Sequence, residues 1–321
     1  MEGVDSPTGE SRSDMDLKER IRPAIETIGS DPAWRVVRGA LRRTPRVLVL
    51  LWHRIDPAGP RHFEIVRSLP SEVFDAQLTE LASIGDIRTL DQVANGDVAT
   101  DRPTFALTFD DDWMGYNDHV VPVLKSHGLT GTFFLSGRML DSTGPTWWEA
   151  LEFEILDEGF DAVCARLGIT AATPGELAGQ VQGTPLSVQI EQKHAERQPA
   201  MTADEITKLI DDDMQVAFHT RGHRDLPTLD ADELASELRN GRDQLAELTG
   251  EPIDLIAYPH GRTNAAVEQA TRKAGYRRAF TTTGRSHKTD GELPFEISRW
   301  DPVVASGARF RTKLAKRLLV A

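Results

Sequence analysis

From Pro45 onward the chain alternates short apolar runs with stretches of helical spacing, and that alternation sharply limits its possible folds. Val47-Leu48-Val49-Leu50-Leu51 is apolar at every position, as a strand is when both its faces are covered. Further strands are expected at 105–109, 131–135, 216–218, 255–258, 279–283 and 295–299. Helices are expected between them. Over 71–84, Val73, Phe74, Gln77, Leu78 and Leu81 form one stripe that stops at Gly85. Residues 119–126 are helical in pattern and end at Gly128. Thr202 with Glu205, and Asp230 with Glu233, are capping boxes for helices over 202–212 and 230–248. Asn264 caps a last helix that ends at Gly275. Repeated strand–helix units predict an α/β fold, a parallel sheet with helices outside, either open or closed into a barrel.

Two regions break the alternation. Between Gly137 and Ala200 the pattern loosens: Trp147-Trp148, a helix near 149–156, and Pro/Gly/Gln-rich stretches read as an insertion, about 138–200, over one face. Residues 1–45 precede the first strand. Their first 13 have the composition of a disordered tail. Leu17, Ile21, Ile25 and Ile28, then Val36, Val37 and Leu41 after Asp31-Pro32, mark a helical segment. Its basic end (Arg35, Arg38, Arg42, Arg43) is either an anion-binding patch or a solvated helix end. Residues 46–321 form the main domain.

In parallel α/β folds, ligands bind where strands end at their carboxyl side. The chemically capable residues stand there: His53 after the first strand, Asp110-Asp111-Asp112 after the second, and His219 with His223 after the strand beyond the insertion. Tyr258-Pro259-His260-Gly261 follows the next strand, and Arg299 ends the last. Adjacent carboxylates delivered by a buried strand repel one another unless a cation or a proton offsets them. One carboxylate plus two imidazoles is a facial set for a divalent ion with open positions, and Gly222 suits a tight loop between the histidines.

Thr108-Phe109-Asp110-Asp111, His219-Thr220-Arg221-Gly222-His223 and Tyr258-Pro259-His260-Gly261, in this order, resemble the polysaccharide deacetylases with a NodB homology domain (carbohydrate esterase family four). Trp52-His53-Arg54, with Phe74 and Gln77-Leu78, is similar to the subgroup that deacetylates poly-N-acetylglucosamine. The resemblance spans about 46–300. It implies a distorted (β/α)7 barrel, with Asp110 as general base and Asp111, His219 and His223 holding a divalent metal. Zn²⁺ suits that set, as do Co²⁺, Ni²⁺ and Fe²⁺. It also implies an oxyanion contact from the backbone N–H of His260. The sequence departs from the family in three places. Asp112 replaces a Gly. Ala257 and His260 stand where Arg and Tyr are usual in the third motif. The Leu-x-His motif of the acid histidine is missing near the C-terminus. Arg299 is expected to take over the tethering of Asp110. The acid is expected from His53, with His260 and His287 as alternatives, His287 being read as a surface residue. Trp147 and Trp148 are either a sugar-stacking platform or an anchor for the insertion, and Trp113 and Trp300 are candidate wall residues.

The expected activity is metal-dependent N-deacetylation of an amino sugar or glycan intermediate. The alternatives are hydrolysis of another C–N bond, in a cyclic amide or ureide, or glycan binding without turnover. A net charge of −13 argues against nucleic acid or an anionic membrane as the main partner. The single cysteine, Cys164, is expected to be a buried small hydrophobe in a helix. No apolar run reaches the length of a membrane span or a secretory signal, which suggests a cytoplasmic protein acting on a cytoplasmic amino-sugar precursor.

Overall fold

The computed structural model describes residues 31–140, 144–197, 200–302 and 306–319; the expected stripe at Leu17, Ile21, Ile25 and Ile28 lies outside them. In chain order the strands are β1 (Arg46–Trp52), β2 (Asp86–Ile87), β3 (Thr104–Asp110), β4 (Thr132–Leu135), β5 (Gln215–Phe218), β6 (Leu255–Ala257), β7 (Arg278–Thr281), β8 (His287–Lys288) and β9 (Glu296–Trp300). Seven of them (β1, β3, β4, β5, β6, β7, β9) are parallel and close into a barrel, with β1 pairing β3 on one side (Leu50 opposite Leu107) and β9 on the other (Val49 opposite Arg299). β2 lies beside the start of β3, and β8 runs antiparallel to the start of β1, so both short strands sit at the end of the barrel away from the mouth.

The strands read as unbroken apolar runs because their two faces enter two different cores. Val47, Val49, Ala106, Phe134, Ala217, Ala257, Phe280 and Ile297 fill the barrel interior. Leu48, Leu50, Phe105, Leu107, Phe109 and Phe133 point outward, under the helices. Side chains alternate along a strand, so positions two further on inherit the inward face. That parity carries Thr108 and Asp110, His219, Arg299, and Leu51 with His53 toward the upper layer of the barrel.

The helices are α1 (Asp31–Leu41), α2 (Ser71–Ala82), α3 (Leu90–Ala94), α4 (Val121–Ser126), α5 (Trp147–Glu158), α6 (Phe160–Leu167), α7 (Pro174–Val181), α8 (Pro185–Lys193), α9 (Ala203–Asp211), α10 (Ala231–Arg239), α11 (Arg242–Thr249), α12 (Ala265–Lys273) and α13 (Gly307–Leu319). Caps expected from sequence form at Thr202, Asp230 and Asn264. The stretch expected as one helix over 119–126 begins as a π-turn at Tyr116–Val120.

The helix expected over 230–248 is two helices, broken at Asn240-Gly241. Gly241 has φ +87°, and a Cβ there would lie 2.6 Å from Cα of Gly137, so a close backbone approach overrides local helical spacing. The stretch expected as a loose insertion is more ordered than its pattern suggested. It holds α5 to α8, whose Leu151, Ile155, Val163, Leu177, Val181 and Ile190 form a core of their own. Cys164 is buried there, in α6.

Candidate metal centre and active site

The strand ends meet at the mouth. Asp111, just past β3, and His219 and His223, past β5, bring one donor atom each to within 4.8 Å of one another. Nε2 of His219 is 3.6 Å, and Nε2 of His223 3.4 Å, from Oδ1 of Asp111. Nδ1 of His219 donates to the carbonyl oxygen of Ala257 at 2.9 Å, which leaves the Nε2 lone pair facing the carboxylate. Burial, reinforced by the neighbouring histidines, pushes His223 well below the usual imidazole value and keeps it neutral. A carboxylate and two imidazoles, one of them oriented by a backbone carbonyl, fit a divalent ion.

The backbone is strained where these residues leave their strands. Among described residues, Asp111 (φ 73°), Thr220 (68°), His223 (53°) and His260 (57°) hold left-handed conformations at the site; the other such non-glycine is Asp213. Each such conformation costs about 1–3 kcal/mol and persists because the surroundings dictate it. Gly222 was expected to supply the tight turn of the chelating loop, but the left-handed positions fall to Thr220 and His223. What Gly222 provides is room: its N–H donates to Oε2 of Glu237 at 2.7 Å, and a Cβ would lie 3.1 Å from Oε1.

Asp110 lies beside this set without belonging to it. Its Oδ2 is 3.7 Å from Nε2 of His219. Nη1 and Nη2 of Arg299 donate to its two oxygens, both at 2.6 Å, and Nη1 also donates to Thr108 Oγ1 at 3.2 Å. The Thr108 hydroxyl donates on to the Leu50 carbonyl at 2.7 Å, and the guanidinium lies 5.0 Å from the centre of the Phe134 ring. Burial alone would raise the Asp110 carboxyl, but the Arg299 charge, followed by that of His219, holds it below the ordinary value. Tyr116 Oη donates to the Asp110 backbone carbonyl.

Asp112, which had no role in the sequence reading, turns away from the metal set. Its carboxylate accepts from the Ser136 N–H at 2.7 Å and from the Ser136 hydroxyl, joining the ends of β3 and β4. Burial pushes it up to about 7, against those hydrogen bonds.

A cleft of about 620 Å³ covers this centre. His53, His260 and Asp301 line it, with Trp147, Trp148, Gly175, Ala178 and Gly179 of α7, and Gln182 at its C-terminal cap. Trp148 serves as wall and anchor at once: its ring lies 4.6 Å from that of His223 and 5.8 Å from that of Trp147. Trp113 and Trp300 are not wall residues. Trp113 packs on Tyr116, and the buried Trp300 stacks on Phe310, its side chain taking the outward parity of β9. His287 is neither at the mouth nor a surface residue. It is partly buried in β8, where its Nε2 accepts from the Ser298 N–H at 2.9 Å.

Sequence reasoning missed three contributors. Glu152 of α5 takes the Arg54 guanidinium (2.6 Å) and the N–H groups of Ile65 (2.6 Å) and Val66 (3.2 Å), fixing the loop after β1 over the cleft. Gln182 reaches His260, 3.2 Å between Nε2 atoms. Asp301 stands two residues beyond Arg299, where the rule about strand ends applies as it did to His53. For Gln182 the available signal was spacing, since positions 175, 178, 179 and 182 share one helix face.

The family model for polysaccharide deacetylase matches residues 97–279, more than half of the chain. The chain belongs to that family. No curated protein matches it by sequence. Among solved structures it resembles the deacetylase PplD of Streptococcus pyogenes in complex with acetate, at 18% identity and a TM-score of 0.56, over 86% of this chain and 99% of that one. IcaB from Ammonifex degensii is similar at 17% identity and 0.54, over 86% and 97%. The polysaccharide deacetylase BC0361 from Bacillus cereus is similar at 20% and 0.56, over 84% and 69%. These likenesses establish a shared fold with polysaccharide deacetylases, the (β/α)7 barrel.

Proposed function

We propose that this member of the polysaccharide deacetylase family is a metal-dependent hydrolase that removes acetyl from the nitrogen of an amino sugar or glycan. One observation carries the reading: Asp110, ionised by Arg299, stands next to the Asp111–His219–His223 set and leaves that set's donor atoms free. A pure glycan binder has no use for an unligated carboxylate there. Zn²⁺, or a comparable divalent ion, held by the three residues supplies Lewis acidity toward an amide carbonyl and a water of lowered pKa.

The residues of the chain then divide the proton work. Asp110 takes a proton from the attacking water, and Arg299 fixes both of its oxygens so that they need not reorganise. The backbone N–H of His260 is the donor to the oxyanion that develops on the substrate's carbonyl oxygen when water adds to the carbonyl carbon. His53 protonates the leaving amine. It is preferred to His260, which burial pushes below its ordinary value and whose Nε2 is met by Gln182. Trp147 and Trp148 form the wall on which a pyranose face stacks.

Acetate release from N-acetylated sugars, sugar nucleotides and short oligosaccharides, with chelated and Zn²⁺-reloaded protein, tests this. Release restored by metal supports the proposal. Metal bound at stoichiometry with no release from any of them refutes it and favours a ring-opening amidohydrolase.

A further inference from the structure

α1 and α13, far apart in sequence, pack side by side on the outer wall of the barrel. Glu80 of α2 joins them: it accepts from Trp34 Nε1 at 3.1 Å and from Arg311 Nε at 2.7 Å, and the Arg311 guanidinium lies 5.2 Å from the centre of the Trp34 ring. In a chain with 50 acids and 37 bases, residues 32–55 and 302–321 contain no acid at all. Trp34, Val37 and Leu41 bury the inner stripe of α1, and Phe310, Leu314 and Leu318 bury that of α13. What faces outward is cationic. Arg35 on α1 and Arg42 and Arg43 just past its end are exposed, and Arg309, Lys313 and Lys316 line α13 at i, i+4 and i+7. Among the described residues, Arg35, Arg43, Arg309 and Lys316 have no ion-pair partner, and Lys313 interacts with the charge of Asp301. In the middle of the arginines stands Val36, 62% exposed.

We propose that this face docks on an anionic phospholipid surface. The net charge of −13 does not oppose it, because fields in salt solution reach only about 8–10 Å and, apart from Asp31 at the first position of α1, the acids lie on other elements. Two helices side by side offer cations on a broad face, which suits a bilayer. Val36 selects between polyanions: the boundary between headgroups and acyl chains accepts an apolar side chain ringed by cations, whereas the phosphate backbone of nucleic acid gives it no partner. α13 starts seven residues after the mouth end of β9, so docking sets the active-site cleft beside the membrane.

Sedimentation of the full chain with vesicles of phosphatidylcholine, alone or mixed with phosphatidylglycerol, tests this without reference to catalysis. Binding is expected only to the mixed vesicles, weakening with salt. Arg35→Glu/Arg42→Glu/Lys313→Glu/Lys316→Glu should reduce it on the order of a hundredfold or more with an unchanged melting curve. If that variant fails to fold, Lys316→Gln alone, which removes one charge, should cost about fivefold, and no change in its affinity overturns the proposal. Val36→Asp should also lose binding. Equal affinity for both vesicle types, no binding at low salt, or tighter binding to duplex DNA each overturns the assignment.

Discussion

Two arginines stand at opposite ends of the barrel, and their surroundings differ in a way that separates structure from function. Arg277, just before β7, donates to Asp254 through two nitrogens, to Asp91 and to Asn95, and is 28% exposed. Arg299, in β9, has Asp110 as its one carboxylate partner and is 0% exposed. By number of partners, Arg277 is the better held. Energetically the order reverses. Ion pairs open to water are screened and are worth about 0–1 kcal/mol, whereas breaking a buried pair leaves an uncompensated charge. A barrel needs no ionised pair in its interior layer, and that supports the proposed part of Arg299 and Asp110 in the chemistry.

The sharpest way to break this comparison is Arg299→Leu. It should cost about 3–5 kcal/mol of stability, seen as a lower denaturant midpoint, and adding Asp110→Asn should recover much of the loss. If the single variant is as stable as the parent, the buried pair has no such weight. A smaller effect is expected from acid. Because the Asp110 carboxyl is held low in the fold, it stabilises above its unfolded value of about 4, and that stabilisation is lost as pH falls through its folded value. Melting curves from neutral pH to about pH 2 should therefore show wild type and Asp110→Asn converging. A gap that stays constant contradicts the depressed pKa. The smallest effect belongs to Arg277→Ala, below about 1 kcal/mol and weaker still in high salt. A loss comparable to that of Arg299→Leu would erase the distinction.

That Asp110, His219 and Arg299 meet at the mouth was legible because a strand's parity turns sequence position into direction. Asp110, His219 and Arg299 continue the inward rows of Ala106, Ala217 and Ile297. The same parity, applied to Trp300, would have removed it as a wall residue. Elements decided by distant contacts were not legible. Nothing local to 230–248 announces that Gly241 must pass against Gly137. The insertion hid its helices because they are short and each buries one face only against the others, which weakens periodicity. Asp112 had no assignable role in the sequence because its partner, Ser136, stands just past the next strand. The cationic face was invisible to whole-chain charge because its halves lie at opposite ends of the sequence.

The central claim is that Asp110 acts as a base beside a metal it does not hold. The most direct test measures metal content and acetate release together for Asp110→Asn, with an N-acetylated substrate the wild type cleaves. The account predicts metal at wild-type stoichiometry and a rate lower by about 10²–10⁴. Loss of the metal would make Asp110 a ligand, and an undiminished rate would give the base to another residue; either result contradicts the account.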